Sequence, residues 1–174
     1  MRESVGIVGA GIVGLAHAWS AAQRGHQVTV FERSHHASGA SIRNFGMIWP
    51  MGQPMEHLEA AMLSRSLWLK LASESNIWIR PCGSLHLAHR QDEWEVLQEY
   101  YELHRNSILG THLKLLGREE SLTHSPSINP DHFIGSLKSD LEMCVNPTST
   151  IRAMPDWLKQ QYGVEFCFDT TVVD

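Results

Sequence analysis

Three glycines, in the run Gly9-Ala10-Gly11-Ile12-Val13-Gly14, follow the apolar stretch Ser4–Val8 and constrain this chain more than any other feature. The surrounding segment, Val5 to Ala18, has the length of an export signal, and Ala16-His17-Ala18 has the form of a cleavage site. A signal peptide needs a positive start and a helix-forming apolar run; here Glu3 cancels Arg2 and glycines break the run. The sequence downstream decides the matter. After Gly25 comes His26-Gln27-Val28-Thr29-Val30-Phe31-Glu32-Arg33, a β-branched strand that ends in an acid.

The order is therefore strand (Ser4–Val8), glycine turn, helix (Ile12–Arg24), glycine stop and strand (Gln27–Phe31). That is the opening of a βαβ unit. Gly9 allows the tight turn, Gly11 leaves room for a pyrophosphate to approach the backbone, and Gly14 lets helix and strand pack closely. The helix start offers free N–H groups and the positive end of a dipole. Glu32 stands about twenty residues further on, where a carboxylate accepts hydrogen bonds from ribose hydroxyls and repels a 2′-phosphate. Strand, turn, helix and acid together specify a dinucleotide site far better than the glycines alone.

With 174 residues the chain can bury a substantial core, and 43% hydrophobic against 19% charged residues is the balance of a globular protein. A net charge of −5 without a Lys/Arg cluster argues against nucleic-acid binding. No apolar stretch is long enough to span a bilayer. Cys82, Cys144 and Cys167 form no C-x-x-C pair and read as three reduced thiols of a cytoplasmic protein. Among the eleven histidines, His86 and His89 lie three apart on a strand and face opposite ways, so no metal site is expected. Neither a G-x-S-x-G elbow nor any other framed nucleophile is present.

Ser34 to Pro54 is rich in Ser, Gly and Pro and poor in charge; it reads as a long functional loop with one helical turn, carrying Met47 and Trp49. Helices are expected over His57–Asn76 and Asp92–Ile108, and strands at NIWIRP, GSLHLAH, THLKLLG and IGSLKSD, with Ser121–Phe133 turn-rich. Asn146-Pro147 opens a further helix, which Pro155 should kink or restart. GVEFCFDTTVV reads as a strand, a turn and the first residues of another strand. The chain stops in the middle of that element, which predicts truncation on its C-terminal side.

These features together resemble the D-amino acid oxidase family of FAD-dependent oxidoreductases, which includes glycine oxidase and sarcosine oxidase. The resemblance rests on Gly9/Gly11/Gly14, on Glu32, on Ser38 to Ser41 and on Gly46-Met47-Ile48-Trp49-Pro50. CGSLHLA looks like the family's entry into its substrate domain, and IGSLKSD…VNP like the return. The similarity covers the whole chain but only the N-terminal half of a family member. RNFGMIWPMGQP is similar to a subgroup associated with aminophosphonate breakdown, although Thr148 stands where Arg commonly follows Asn-Pro.

The resemblance implies an α/β fold, a Rossmann-like FAD-binding βαβ domain with an inserted α+β substrate domain, incomplete at the C-terminus. Residues 1–80 would form the first part of the FAD domain, 81–142 the start of the substrate domain and 143–174 the return. It implies that Gly9, Ala10, Gly11, Ile12 and Gly14 cradle the FAD pyrophosphate and that Glu32 binds the adenosine ribose. Arg33 would lie near the adenine or ribose edge, Val172 at the adenine, Ser41 and Asn44 near the pyrophosphate or ribityl chain, and Gly46 and Met47 along the isoalloxazine ring. The activity it implies is oxidation of the C–N bond of a small amine or amino acid to an imine, by hydride transfer to flavin. No catalytic residue is assigned, and neither membrane nor nucleic acid is an expected partner. Two alternatives stay open: an NAD-dependent dehydrogenase, and a non-catalytic, truncated dinucleotide-binding fragment.

Overall fold

In a computed structural model that describes residues 1–173, the segment Ser4–Phe31 folds as strand, helix and strand. In chain order the elements are β1 (Ser4–Val8), α1 (Ile12–Gln23), β2 (Gln27–Phe31), β3 (Met47–Ile48), α2 (Leu58–Glu74), β4 (Ile79–Pro81) and β5 (Ser84–Ala88). They continue with α3 (Gln91–His104), β6 (Leu113–Gly117), α4 (Arg118–His124), β7 (Gly135–Ser139), β8 (Met143–Val145), α5 (Pro147–Tyr162) and β9 (Glu165–Cys167). The α/β reading holds. The chain divides into two units: Met1–Met47 with Trp68–Ile79 and the residues from Val145 onward, and Ile48–Leu67 with Arg80–Cys144.

The first unit is built on a parallel sheet of order β1-β2-β9, with Ser4 opposite Gln27, Val8 opposite Phe31, and Phe31 opposite Cys167. Leu15, Ala18 and Trp19 recur at helical spacing on α1, so one face of that helix is buried. They join Val28 and Val30 of β2 and Ile151, Met154, Trp157 and Leu158 of α5 in one core. Trp19 and Trp157 meet edge to face at 5.1 Å, and the Trp157 indole N–H donates to the Glu74 carbonyl at 3.0 Å.

α5 begins as its sequence predicts. The Asn146 side chain accepts from the Ser149 amide at 2.9 Å, Pro147 takes the first turn, and Gly163 ends the helix at φ 68°. The helix does not restart at Pro155: it is continuous from Pro147 to Tyr162 with the proline inside it. Proline costs Ile151 its i+4 donor, but the buried stripe Ile151, Met154, Pro155, Trp157 and Leu158 holds the helix on both sides of it.

The second unit carries an antiparallel sheet of order β5-β7-β6, with Leu137 opposite both His86 and Leu115. Met51, Leu58, Leu109, Leu113, Leu137 and Leu141 form its core. The helix expected to reach Ile108 ends at His104, because Ser107 turns the chain: its amide and hydroxyl both donate to the His104 carbonyl. Arg118–His124 is helical, where the sequence reading leaves 118–120 unassigned and starts a turn-rich stretch at Ser121. The Ser34–Pro54 loop holds a 3-10 turn, Ala40–Ile42, and the short β3. The second strand expected near Val172 is absent from the described residues: Thr171–Val173 pair with no neighbouring strand there.

Candidate functional site

The carboxyl ends of the parallel strands converge on the glycine turn, the place where open α/β sheets bind ligands. The Gly9 amide donates to the Phe31 carbonyl at 2.7 Å, the Glu32 amide to the Cys167 carbonyl at 2.9 Å, and the Thr170 amide to the Glu32 carbonyl at 3.0 Å. At this junction Glu32 is 8% exposed. Its Oε2 accepts from the Ala10 amide at 2.9 Å and its Oε1 from the Ser34 amide at 3.0 Å. A carboxylate has about four lone-pair sites, so acceptor capacity remains. The Ser34 contact is one that no sequence pattern announces.

Gly14 sits where no side chain fits. A Cβ there would lie 1.9 Å from the Gly9 carbonyl oxygen. Gly11 differs: a Cβ would meet only the Ser41 hydroxyl, at 3.0 Å. α1 has neither a side-chain cap on Gly11 nor an acid in its first turn, so its positive end is not neutralised from within. A phosphate-bearing group fits this cradle.

Asn44 organises the loop beyond. It donates from Nδ2 to the Ser41 carbonyl at 2.8 Å and accepts at Oδ1 from the Gly46 amide at 2.8 Å. Ser41 in turn accepts from the Ile12 amide at 3.0 Å, fastening the loop to the start of α1. Gly46 has φ 68°, and a Cβ would strike the Val145 carbonyl oxygen at 2.0 Å; the Val145 amide donates to the Gly46 carbonyl at 2.8 Å. The loop thus leaves apolar side chains in solvent, Phe45 at 94% and Met47 at 56% exposure. Arg33 is exposed, and so is Val172.

A second polar cluster, in the other unit, has no counterpart among the sequence expectations. Glu142 is 3% exposed; its carboxylate accepts from the Met51 amide at 3.3 Å and the Ser84 hydroxyl at 3.0 Å. His86 Nε2 lies 3.4 Å from the same hydroxyl, with the Trp49 ring stacked on its imidazole at 5.9 Å. Tyr100 donates to the Met51 carbonyl and stacks on the buried His104, whose Nδ1 has no partner among the described residues.

Burial holds the His86 imidazole below its usual range, partly opposed by the Glu142 charge, and burial alone does the same to His104. Both rings therefore favour the neutral form in the folded unit. That preference costs nothing above the unfolded value of about 6.5, and stability falls as pH drops below it through the depressed folded values. Thermal melts from pH 8 to pH 5 should show this unit weakening on the acid side. His104→Phe, which keeps the stack on Tyr100, should flatten the dependence; an unchanged slope would assign it to other groups.

The profile of the family described as FAD dependent oxidoreductase, or DAO, matches residues 4–174. Glycine oxidase of Geobacillus kaustophilus is 29% identical over 147 residues, covering 78% of this chain and 38% of that protein. An opine oxidase component of Rhizobium meliloti is 26% identical over 160 residues, with 85% and 43% covered. The chain superposes on L-α-glycerophosphate oxidase of Mycoplasma pneumoniae, solved with FAD bound, with a TM-score of 0.84 and 26% identity, covering all of this chain and 47% of that one. The chain thus spans less than half the length of these relatives. Among the described residues, no helix is long and apolar enough to cross a membrane.

Proposed function

Because this chain belongs to the DAO family of FAD-dependent oxidoreductases, we propose that its first unit holds FAD and that the protein oxidises the C–N bond of a small amine or amino acid to an imine. Gly9, Ala10, Gly11, Ile12 and Gly14 would surround the pyrophosphate, with Ser41 and Asn44 nearby. Glu32 would take the adenosine ribose, Arg33 the adenine or ribose edge, Val172 the adenine, and Gly46 and Met47 the isoalloxazine ring. The observation that carries this reading is Glu32: a buried carboxylate that touches the amide of Ala10 at the head of α1 and keeps acceptor capacity to spare.

When bound, the flavin supplies the two-electron acceptor for the reaction. The chain's own residues do the holding. The start of α1 offsets phosphate charge, Glu32 accepts from ribose hydroxyls, and Asn44 fixes the loop that carries Gly46 and Met47. The likeness of Arg43 to Pro54 to an aminophosphonate-associated subgroup puts aminophosphonates first among the amines to try. The opening segment folds as β1 and α1 of the first unit, and a cytoplasmic location is part of the same proposal.

Flavin fluorescence titration tests the cofactor. Gly11→Ala, whose new methyl crowds only the Ser41 hydroxyl that holds the Ile12 amide, should melt slightly below the parent and bind FAD about tenfold or more weakly. Equal affinity in that variant would rule out the cradle as the phosphate site, and competition by NAD at similar concentration would favour the nicotinamide alternative. Anaerobic bleaching of bound flavin by glycine, sarcosine or a simple aminophosphonate tests the substrate class; a flavin left oxidised by all three would refute it.

A further inference from the structure

We propose that Cys82 and Cys144 are a peroxide-oxidised dithiol whose disulfide closes the second unit on itself. The three cysteines are free thiols, and the sulfurs of these two lie 3.5 Å apart although the residues are 62 positions apart in sequence. Their backbones are held together independently of the sulfurs. The amides of Cys82 and Gly83 both donate to the Glu142 carbonyl, at 3.1 and 3.0 Å, two residues before Cys144. The buried Glu142 carboxylate is itself tied to Ser84 and Met51. Bond formation needs the sulfurs to approach by about 1.5 Å.

Access orders the two thiols: Cys82 is exposed and Cys144 partly buried. Desolvation and the hydrogen bond to Cys144 push the Cys82 thiol above its usual range, against the pull of Arg80. The thiolate fraction at neutral pH is therefore small, and attack on an oxidant speeds up as pH rises. The Cys82 thiolate attacks one oxygen of hydrogen peroxide; the O–O bond breaks, leaving a sulfenic acid and, after proton uptake, water. The Cys144 sulfur attacks the sulfenic sulfur; the S–O bond breaks and a second water leaves. Two thiols are oxidised by two electrons, and one peroxide is reduced to two waters. A dithiol reductant reverses the reaction by exchange.

The chain enters the stretch Arg80–Cys144 of the second unit two residues before Cys82 and leaves it at Cys144. The bond would therefore join the way in to the way out of that stretch and restrict its unfolded state, leaving Ile48–Leu67 outside the closed loop. This inference holds whether or not the flavin assignment does.

The test is stoichiometric peroxide added to the reduced protein, followed by intact mass, thiol titration under denaturing conditions and peptide mapping. The expected result is a mass lower by two hydrogens, one free thiol in place of three, a Cys82–Cys144 peptide with Cys167 untouched, and reversal by dithiothreitol. The melting temperature should rise on oxidation in the parent and in Cys167→Ser, but not in Cys82→Ser or Cys144→Ser. Added oxygen without loss of hydrogens, a bond involving Cys167, or disulfide-linked dimers would each overturn the proposal.

Discussion

Gly14→Ala should cost the first unit about 3 kcal/mol or more, enough to lower its melting temperature by many degrees and abolish FAD binding with it. The added methyl would lie 1.9 Å from the Gly9 carbonyl oxygen, 3.1 Å from the Gly9 carbonyl carbon and 3.5 Å from the Ile7 side chain. Two of these atoms are backbone, so no rotamer change relieves the clash. The turn must open from 1.9 to about 3 Å, and α1 moves with it. That movement pulls Leu15 and Ala18, both fully buried, off β2 and α5. Circular dichroism melts of Gly14→Ala beside Gly11→Ala separate the two glycines: the first variant loses the fold, the second chiefly the ligand. A Gly14→Ala protein that melts with the parent would show that helix and strand are free to part here.

Glu142→Ala should destabilise the second unit by about 2–4 kcal/mol. The substitution strips the acceptor from the Met51 amide and the Ser84 hydroxyl in a place only 3% open to solvent. It also frees the Trp49–Met51 loop from β5. Glu142→Gln keeps an acceptor oxygen and the volume, so it should lose about half as much or less. Urea denaturation measures the difference. The His86 titration gives a separate readout: without the Glu142 charge its imidazole should fall further below its usual range in both variants. A Glu142→Ala protein within about 0.5 kcal/mol of the parent would mean that water or a shifted side chain replaces the carboxylate.

The β1-α1-β2 segment is legible in the sequence almost to the residue because its determinants are local. Gly9 and Gly25 take positive φ, Gly14 answers to a clash with Gly9 in the same turn, and β1 alternates in exposure. The end of α5 at Gly163 is equally local, whereas Pro155 does not end the helix, because a single-residue penalty says nothing of the buried stripe around it. Glu142 carries no signal at all. Its partners Met51 and Ser84 lie 91 and 58 positions away, and an acid next to Leu141 and Met143 reads as an edge residue. Cys82 and Cys144 look like unrelated thiols for the same reason. Ser41 and Asn44 stand out from the loop by resemblance; what they do for each other, and for Ile12, emerges only from the structure.

The sheet order β1-β2-β9 also sets a timetable. Thr29 and Glu165, which share a register, are 136 residues apart, and α5 supplies Ile151, Met154 and Trp157 to the core that α1 begins. On the ribosome, at roughly 10 residues per second, the β1-α1-β2 segment emerges more than ten seconds before its third strand exists. Meanwhile the stretch Arg80–Cys144 is complete and free to condense on its own. The nascent chain therefore carries Leu15, Trp19, Val28 and Val30 without α5 and β9 until Glu165 has been made. That interval is when a chaperone or an aggregate would compete for them.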